Sequence, residues 1–342
     1  MKNFTSPKGI FSLRIPVEWQ YINVAAGMKE ESPYSFQHYQ ESKSAFQVSC
    51  YPKPAKWDNK IPDQKANTDH LRFEQTRMDD EEFHVHLWFA NVEDHYFIVK
   101  FIYDAHRAQS LEVAAELTQV TLALSTLQFL TGSTRTAAME LDVYEKFIAS
   151  LAASFDLRNR AFEKMALIEL VIILANQIDA YLRMAIVLHK QLADQTERIE
   201  VCLLRQEKGD QPVFEKQIYS MAADLEIISD ELRDSLFSLY SERNKVVHRY
   251  IISDFKTRDL IQIVYDYDQI CEKVRLRLKY FEDLQLAQKV GIYAHKNPGG
   301  MPDALAMDIL FAQVNDKHLD KELFRKISPK KTGRNEKRSS KN

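Results

Sequence analysis

HYFIVKFIYDAHRAQSLEVAAELTQVTLALSTLQFLTGST, residues 95–134, is where one pattern gives way to another. His95–Tyr103 alternates with period two, as a strand does. From Ser110, the apolar residues Leu111, Ala114, Leu117, Val120, Leu124 and Leu127 recur at helical spacing. Thr131-Gly132-Ser133-Thr134 then interrupts the pattern. Upstream, period-two segments lie at Gly9–Ile15, Tyr34–Tyr39, Ala45–Tyr51, Leu71–Arg77 and Glu82–Ala90. Asp79–Asp80 and Asn91–Asp94 occupy turn positions, so the last three strands read as a meander. Residues 1–130 therefore predict an α+β domain, an antiparallel sheet with a backing helix. Residues 131–137 read as a linker. Beyond it, Ala138–Phe155, Ala161–Leu192, Phe214–Tyr240 and Lys256–Val290 are helical runs, and residues 138–290 predict an all-α bundle. Asn297-Pro298-Gly299-Gly300 ends that run within a helical extension, 291–326, where Asp303–Val314 and Leu319–Lys326 read as short helices. Residues 327–342 read as a disordered basic tail.

The composition narrows the classes. A chain of 342 residues, 45% hydrophobic and 28% charged, with 8 Gly and 10 Pro, has room for two cores and is neither collagen-like nor low-complexity. Cys50, Cys202 and Cys271 are too few and too far apart for a disulfide scaffold or a zinc cluster, which suits a reducing compartment. The N-terminus lacks an apolar run fit for a signal peptide, and no uninterrupted apolar stretch reaches the roughly 18 residues of a membrane span. The expectation is a cytoplasmic chain without a membrane. Eight Lys/Arg against Glu336 give residues 325–342 a charge of +7, so the remainder carries −10 of the overall −3. Such a tail is either a solvated terminus or a hold for an anionic partner such as RNA.

Most familiar motifs are missing: GxxxxGK[ST], GxGxxG, HExxH, CxxC and GxSxG do not occur. Gly132-Ser133 with Asp142 has the outline of a nucleotidyltransferase site. Val143-Tyr144 follow Asp142, however, so the second metal carboxylate is missing. His84 and His86 leave one face of a strand and are a possible chelating pair. With Val85, Leu87 and Phe89 on the opposite face, they are expected on the solvent side. Asp266 and Asp268 read as solvated helix surface. No metal and no cofactor is expected.

The sharpest segment is LYSERNKVVHRY, residues 239–250, which contains Arg243-Asn244, His248 and Tyr250. Cleavage of RNA by its own 2′-hydroxyl needs a proton carrier titrating near neutral pH, which a histidine supplies. It also needs a fixed cation for the charge gathering on the phosphate, and a guanidinium donates two parallel hydrogen bonds there. On a continuous helix, five residues put Arg243 and His248 about 140° apart, while Asn244 and His248 share a face. So either the helix breaks near Lys245–Val247, or two copies of the motif meet across a two-fold axis.

The R-N-x3-H-x-Y run resembles the R-x4-6-H signature of the HEPN superfamily, and the resemblance covers roughly residues 138–290. It implies a metal-independent endoribonuclease acting on single-stranded RNA, in a defence or toxin-like role. His248 would then be general acid/base, Arg243 the phosphate-stabilising cation, and Asn244 an orienting residue. It also implies a homodimer through the helical domain. Tyr250 resembles the tyrosine nucleotidylated in some members, which requires a separate nucleotidyltransferase partner. The opening FSLRIPVEWQY, residues 11–21, resembles the start of PsbP/Mog1-like sandwich families, which implies a fold and no active site.

Two further patterns bear on the site. Glu169, Asn176 and Arg183 recur at steps of seven on an otherwise apolar helix, with Asp179 beside them. They are either a buried polar network that fixes helix register or part of the active cleft. Leu260, Val264, Tyr267, Cys271, Val274, Leu278 and Phe281 form a long apolar seam, expected as the homodimer contact. The alternative to an enzyme is a non-catalytic dimerising or ligand-binding module with a sensor-like N-terminal domain. The acidic body favours that alternative, because RNA-cleaving surfaces are usually basic.

Overall fold

A computed structural model describes residues 1–23, 27–38, 44–54, 60–66, 71–206 and 209–294. Most of the expected extension and the whole basic tail lie outside the described residues. The strands, in chain order, are β1 (Lys2–Thr5), β2 (Phe11–Ile15), β3 (Trp19–Tyr21), β4 (Tyr34–His38), β5 (Ser44–Pro52), β6 (Asp63–Gln64), β7 (Glu74–Asp79), β8 (Phe83–Val92), β9 (His95–Asp104) and β10 (Gln128–Phe129). The helices are α1 (Leu111–Leu124), α2 (Gly132–Glu163), α3 (Leu167–Asp194), α4 (Glu215–Asp224), α5 (Asp230–Arg249) and α6 (Thr257–Gln288). An N-terminal antiparallel-sheet region thus precedes a helical region, as the change of period predicts.

The described residues form two compact units. One comprises Glu18–Gln64 and Arg72–Val120. Its sheet has the order β3-β4-β5-β9-β8-β6, with β7 also paired to β8. The meander β7-β8-β9 is present. In its first turn the Asp80 carboxylate accepts from the amides of Glu82 (2.8 Å) and Phe83 (2.6 Å). Phe97, Val99, Phe101 and Tyr103 of β9 are buried, opposite Phe46 and Val48 of β5. This register corrects the reading of the histidine pair. His86 pairs with Phe101 and Trp88 with Val99, so His84 and His86 lie on the face that carries the aromatic core. His86 is buried, stacked on Trp88 at 5.8 Å between ring centres, with Nε2 3.2 Å from the Tyr103 hydroxyl. Strand β8 is apolar on both faces, so its own alternation cannot choose the core side; the aromatic set of β9 does.

A second correction concerns α1. Leu111 and Ala114 are exposed, and the buried face runs through Val113, Val120, Ala123 and Leu124.

The other unit comprises Met1–Val17, Lys65–Leu71 and the described residues from Thr121 to Ala294. Its small sheet has the order β1-β2-β10. Asn3 of β1 donates to the Glu145 carboxylate of α2 at 2.7 Å. Residues 132–137, expected as a linker, are the first turns of α2. Thr131 and Thr134 hydrogen-bond reciprocally at its start, and good helix formers follow. The run Ala161–Leu192 is divided at 164–166, where Met165 takes a φ of 51°. The run Phe214–Tyr240 is divided between α4 and α5, where Glu226 takes a φ of 56°.

Helix α3 is the centre of the helical core, which is why its sequence is apolar nearly all round. Its most apolar 18-residue window has a mean hydropathy of 1.6, enough in length and composition to cross a membrane, yet 67% of that window is buried inside the protein. The helix is not an uninterrupted apolar run, since Glu169, Asn176, Asp179 and Arg183 punctuate it. Leu260, Tyr267, Cys271, Val274, Leu278 and Phe281 of α6 are buried in the same core, with Val264 packed against it. The seam expected between two copies is therefore the inner face of α6, consumed within one chain.

Candidate functional site

Helix α5 carries the R-N-x3-H-x-Y run. Ser229 caps its start by accepting from the Leu232 amide at 3.3 Å. Asp230 and Glu231 lie in its first turn and His248 and Arg249 in its last, which suits the helix dipole. The helix is unbroken to Arg249 and passes into a 3-10 turn at Tyr250–Ile252. Of the two alternatives, a helix break near Lys245–Val247 is absent, because Val246 is anchored in the core and every residue of that turn tolerates a helix. Arg243 and His248 consequently point about 140° apart around α5.

Arg243 is mostly buried and forms an ion pair with Glu215 at the start of α4. Its guanidinium carbon lies 4.6 Å from the centre of the Tyr240 ring, and its Nη2 is 3.4 Å from Asn244 Oδ1. Burial opposes its charge, and the Glu215 carboxylate outweighs that, holding the pKa above its ordinary value. The Tyr219 hydroxyl donates to the same carboxylate, and the Tyr267 hydroxyl donates to the Leu239 carbonyl at 2.8 Å. Burial, then the Glu215 charge, push the Tyr219 phenol far above its usual range.

Asp179 and Arg183 of α3 complete this polar pocket. Arg183 Nε donates to Asp179 at 2.7 Å, and its terminal nitrogens donate to the carbonyls of Leu203 (2.8 Å) and Val213 (2.7 Å). Burial raises the Asp179 pKa, and the Arg183 hydrogen bond limits the rise. Between α4 and α5, an open groove of about 630 Å³ is lined by Lys216, Gln217, Ser220, Met221, Asp224 and Phe237. The Lys216 ammonium lies 4.7 Å from the centre of the Tyr240 ring.

His248 is exposed, and its side chain makes no hydrogen bond or ion pair among the described residues. Tyr250 is exposed at the start of the 3-10 turn. Glu169 is exposed in the first turn of α3, as is Asn176 farther along. The stripe of seven-residue steps is thus solvated at two of its three positions. The buried polar groups of α3 are instead Gln177 and Gln191. Gln177 donates to Ser154 Oγ at 2.9 Å, and Gln191 accepts from Gln285 of α6 at 2.8 Å. Of the five expected site residues, side-chain hydrogen bonding joins Arg243 to Asn244 alone among the described residues. Glu215, Tyr219 and Tyr240, which surround Arg243, escape sequence reading. Glu215 lies 28 positions from Arg243, and only the α4–α5 turn joins them.

No family model matches the chain, and no curated protein does. A crystal structure of a protein from Bacteroides thetaiotaomicron is similar over 44% of this chain and 60% of its own, with 13% identity and a TM-score of 0.27. At that score it shows neither a shared fold nor a shared function.

Proposed function

We propose that the helical region is a non-catalytic, self-associating interaction module of a cytoplasmic protein, with the N-terminal sheet region as its sensor-like companion. One observation carries this reading: the Arg243 guanidinium is committed to Glu215 and points away from His248 on an unbroken helix. A cation neutralised in this way has little left for a scissile phosphate. Incubating the full chain with varied single-stranded RNAs and EDTA tests it. No cleavage is expected. Cleavage that His248→Ala abolishes, with folding retained, would overturn it.

The exposed, unpartnered imidazole of His248 favours a second reading, a metal-independent endoribonuclease whose site forms only between two copies. Products would then end in a 2′,3′-cyclic phosphate, because the attacking oxygen belongs to the RNA. His248→Ala would lower the rate about 10²–10⁴-fold, as loss of a general acid/base does. Arg243→Lys would recover little, since an ammonium lacks the planar fork. In this reading the exposed Tyr250 phenol is open to a separate nucleotidyltransferase.

A further inference from the structure

One end of the helical bundle carries side chains that the Arg243 pocket does not use. Gln177 of α3 lies beside Cys271 of α6 (3.9 Å), and Gln191 beside Gln285, so these two helices run parallel. Helix α2 joins α3 through residues 164–166 and α5 joins α6 through residues 250–256; across these short turns Ser154 meets Gln177 and Leu239 meets Tyr267, so α2 and α5 run the opposite way. The end of α2, the start of α3, the end of α5 and the start of α6 therefore share one end of the bundle.

That end is unusually apolar. Ile251 is 94% exposed and Ile252 is 82% exposed. Phe162, Met165 and Tyr265 are each more than half exposed, and Ile261 nearly half. The α2–α3 corner, Lys164–Ala166, carries none of the Gly, Asn or Asp that normally turn a chain at a surface. At roughly 100 Å² each, a fraction of what a large side chain can bury, these six residues present on the order of 600 Å² of apolar surface. That sum is of the order of the ~800 Å² per partner of a standard interface.

We infer that this bundle end, centred on Ile251 and Ile252, is the surface through which two copies of the chain associate. The inference rests on the self-association reading above and supplies the surface that the α6 seam, being buried, does not. Charge supports a second copy as the occupant. The exposed Lys164, Arg249, Lys256 and Arg258 are interspersed with the exposed Glu163, Glu169 and Asp254. A surface bearing both signs can meet its own image across a two-fold axis without net repulsion. An RNA strand or an anionic bilayer would instead call for a basic surround.

The test uses the full chain. Light scattering at tens of micromolar should report twice the chain mass. The double variant Ile251→Asp, Ile252→Asp should dissociate at least ~100-fold more readily, as loss of two central anchors does. Its far-UV circular dichroism should stay unchanged, since neither side chain packs in the core, while its melting temperature should lose the concentration dependence that a dimer shows. Leu276→Asp, an exposed α6 position away from this end, should remain dimeric. A wild-type dimer that the double variant leaves intact would overturn the surface and spare the self-association reading. A wild-type monomer would overturn both. A monomer that binds phosphatidylserine vesicles or RNA through Ile251 and Ile252 would overturn the inference in favour of that occupant.

Discussion

Arg243 and His248 sit five positions apart in one motif, and their surroundings assign them opposite roles in stability. Arg243→Ala leaves the Glu215 carboxylate and the Tyr219 hydroxyl without their cation in a mostly buried site. It should lower the unfolding free energy by about 3–5 kcal/mol in urea titrations. His248→Ala, at an exposed position without a partner, should stay within about 0.5 kcal/mol of wild type. Equal losses would show that the Arg243 pair is not structural. His86 yields a pH prediction. Desolvation, and then the Arg77 charge, lower its pKa from 6.5, so the folded state binds fewer protons than the unfolded chain. Its contribution to stability is complete above pH 6.5 and is lost as pH falls from there toward the depressed folded value. Denaturation midpoints at pH 7.5 and pH 5.5 should differ more in wild type than in His86→Gln. At this scale the motif was legible from spacing, because the residues are neighbours in sequence. The Glu215 partner was not, because an ion pair between two helices leaves no periodic trace in either.

The elements followed their signals unevenly. Six strands were readable from period-two alternation, and α6 from its apolar stripe. The divisions at Met165 and Glu226 were not, since neither stretch holds a Gly or Pro. They arise from packing: beside Glu226, Ile227 and Ile228 are buried, and Arg277 of α6 donates to the Ile227 carbonyl at 2.7 Å. The chain accepts a left-handed residue there because the next two side chains enter the core. With α4 and α5 separate, Ser229 becomes a true cap. Ser229→Ala should cost about 1 kcal/mol in chemical denaturation. An unchanged midpoint would mean that the α5 start is held by packing alone. The 132–137 segment shows the converse error: a Gly-Ser pair reads as a linker, while the Thr131–Thr134 exchange starts a helix through it.

For the molecule as a whole, the contact units depart from the order of the chain. Residues 1–17 group with the helices, where β1 hydrogen-bonds to α2 and Gly9 lies against Met139. A chain lacking residues 1–17 loses the buried Phe11, Leu13 and Ile15. At about 1.5–3 kcal/mol each, their loss should lower the thermal midpoint of the helical signal at 222 nm by well over 5 °C. An unchanged midpoint would show that the helices fold without the strands. The sequence by itself determined the succession of a sheet region and a helical region, because side-chain period is imposed locally by backbone geometry. It also determined the spacing of Arg243 and His248. Only the tertiary structure decided which face of β8 is core, which polar residues of α3 are buried, that the α6 seam closes on α3, and that Arg243 is spent on Glu215. Each of these depends on what lies opposite a residue in space, and a single chain's periodicity records the existence of a buried face but not the identity of its partner.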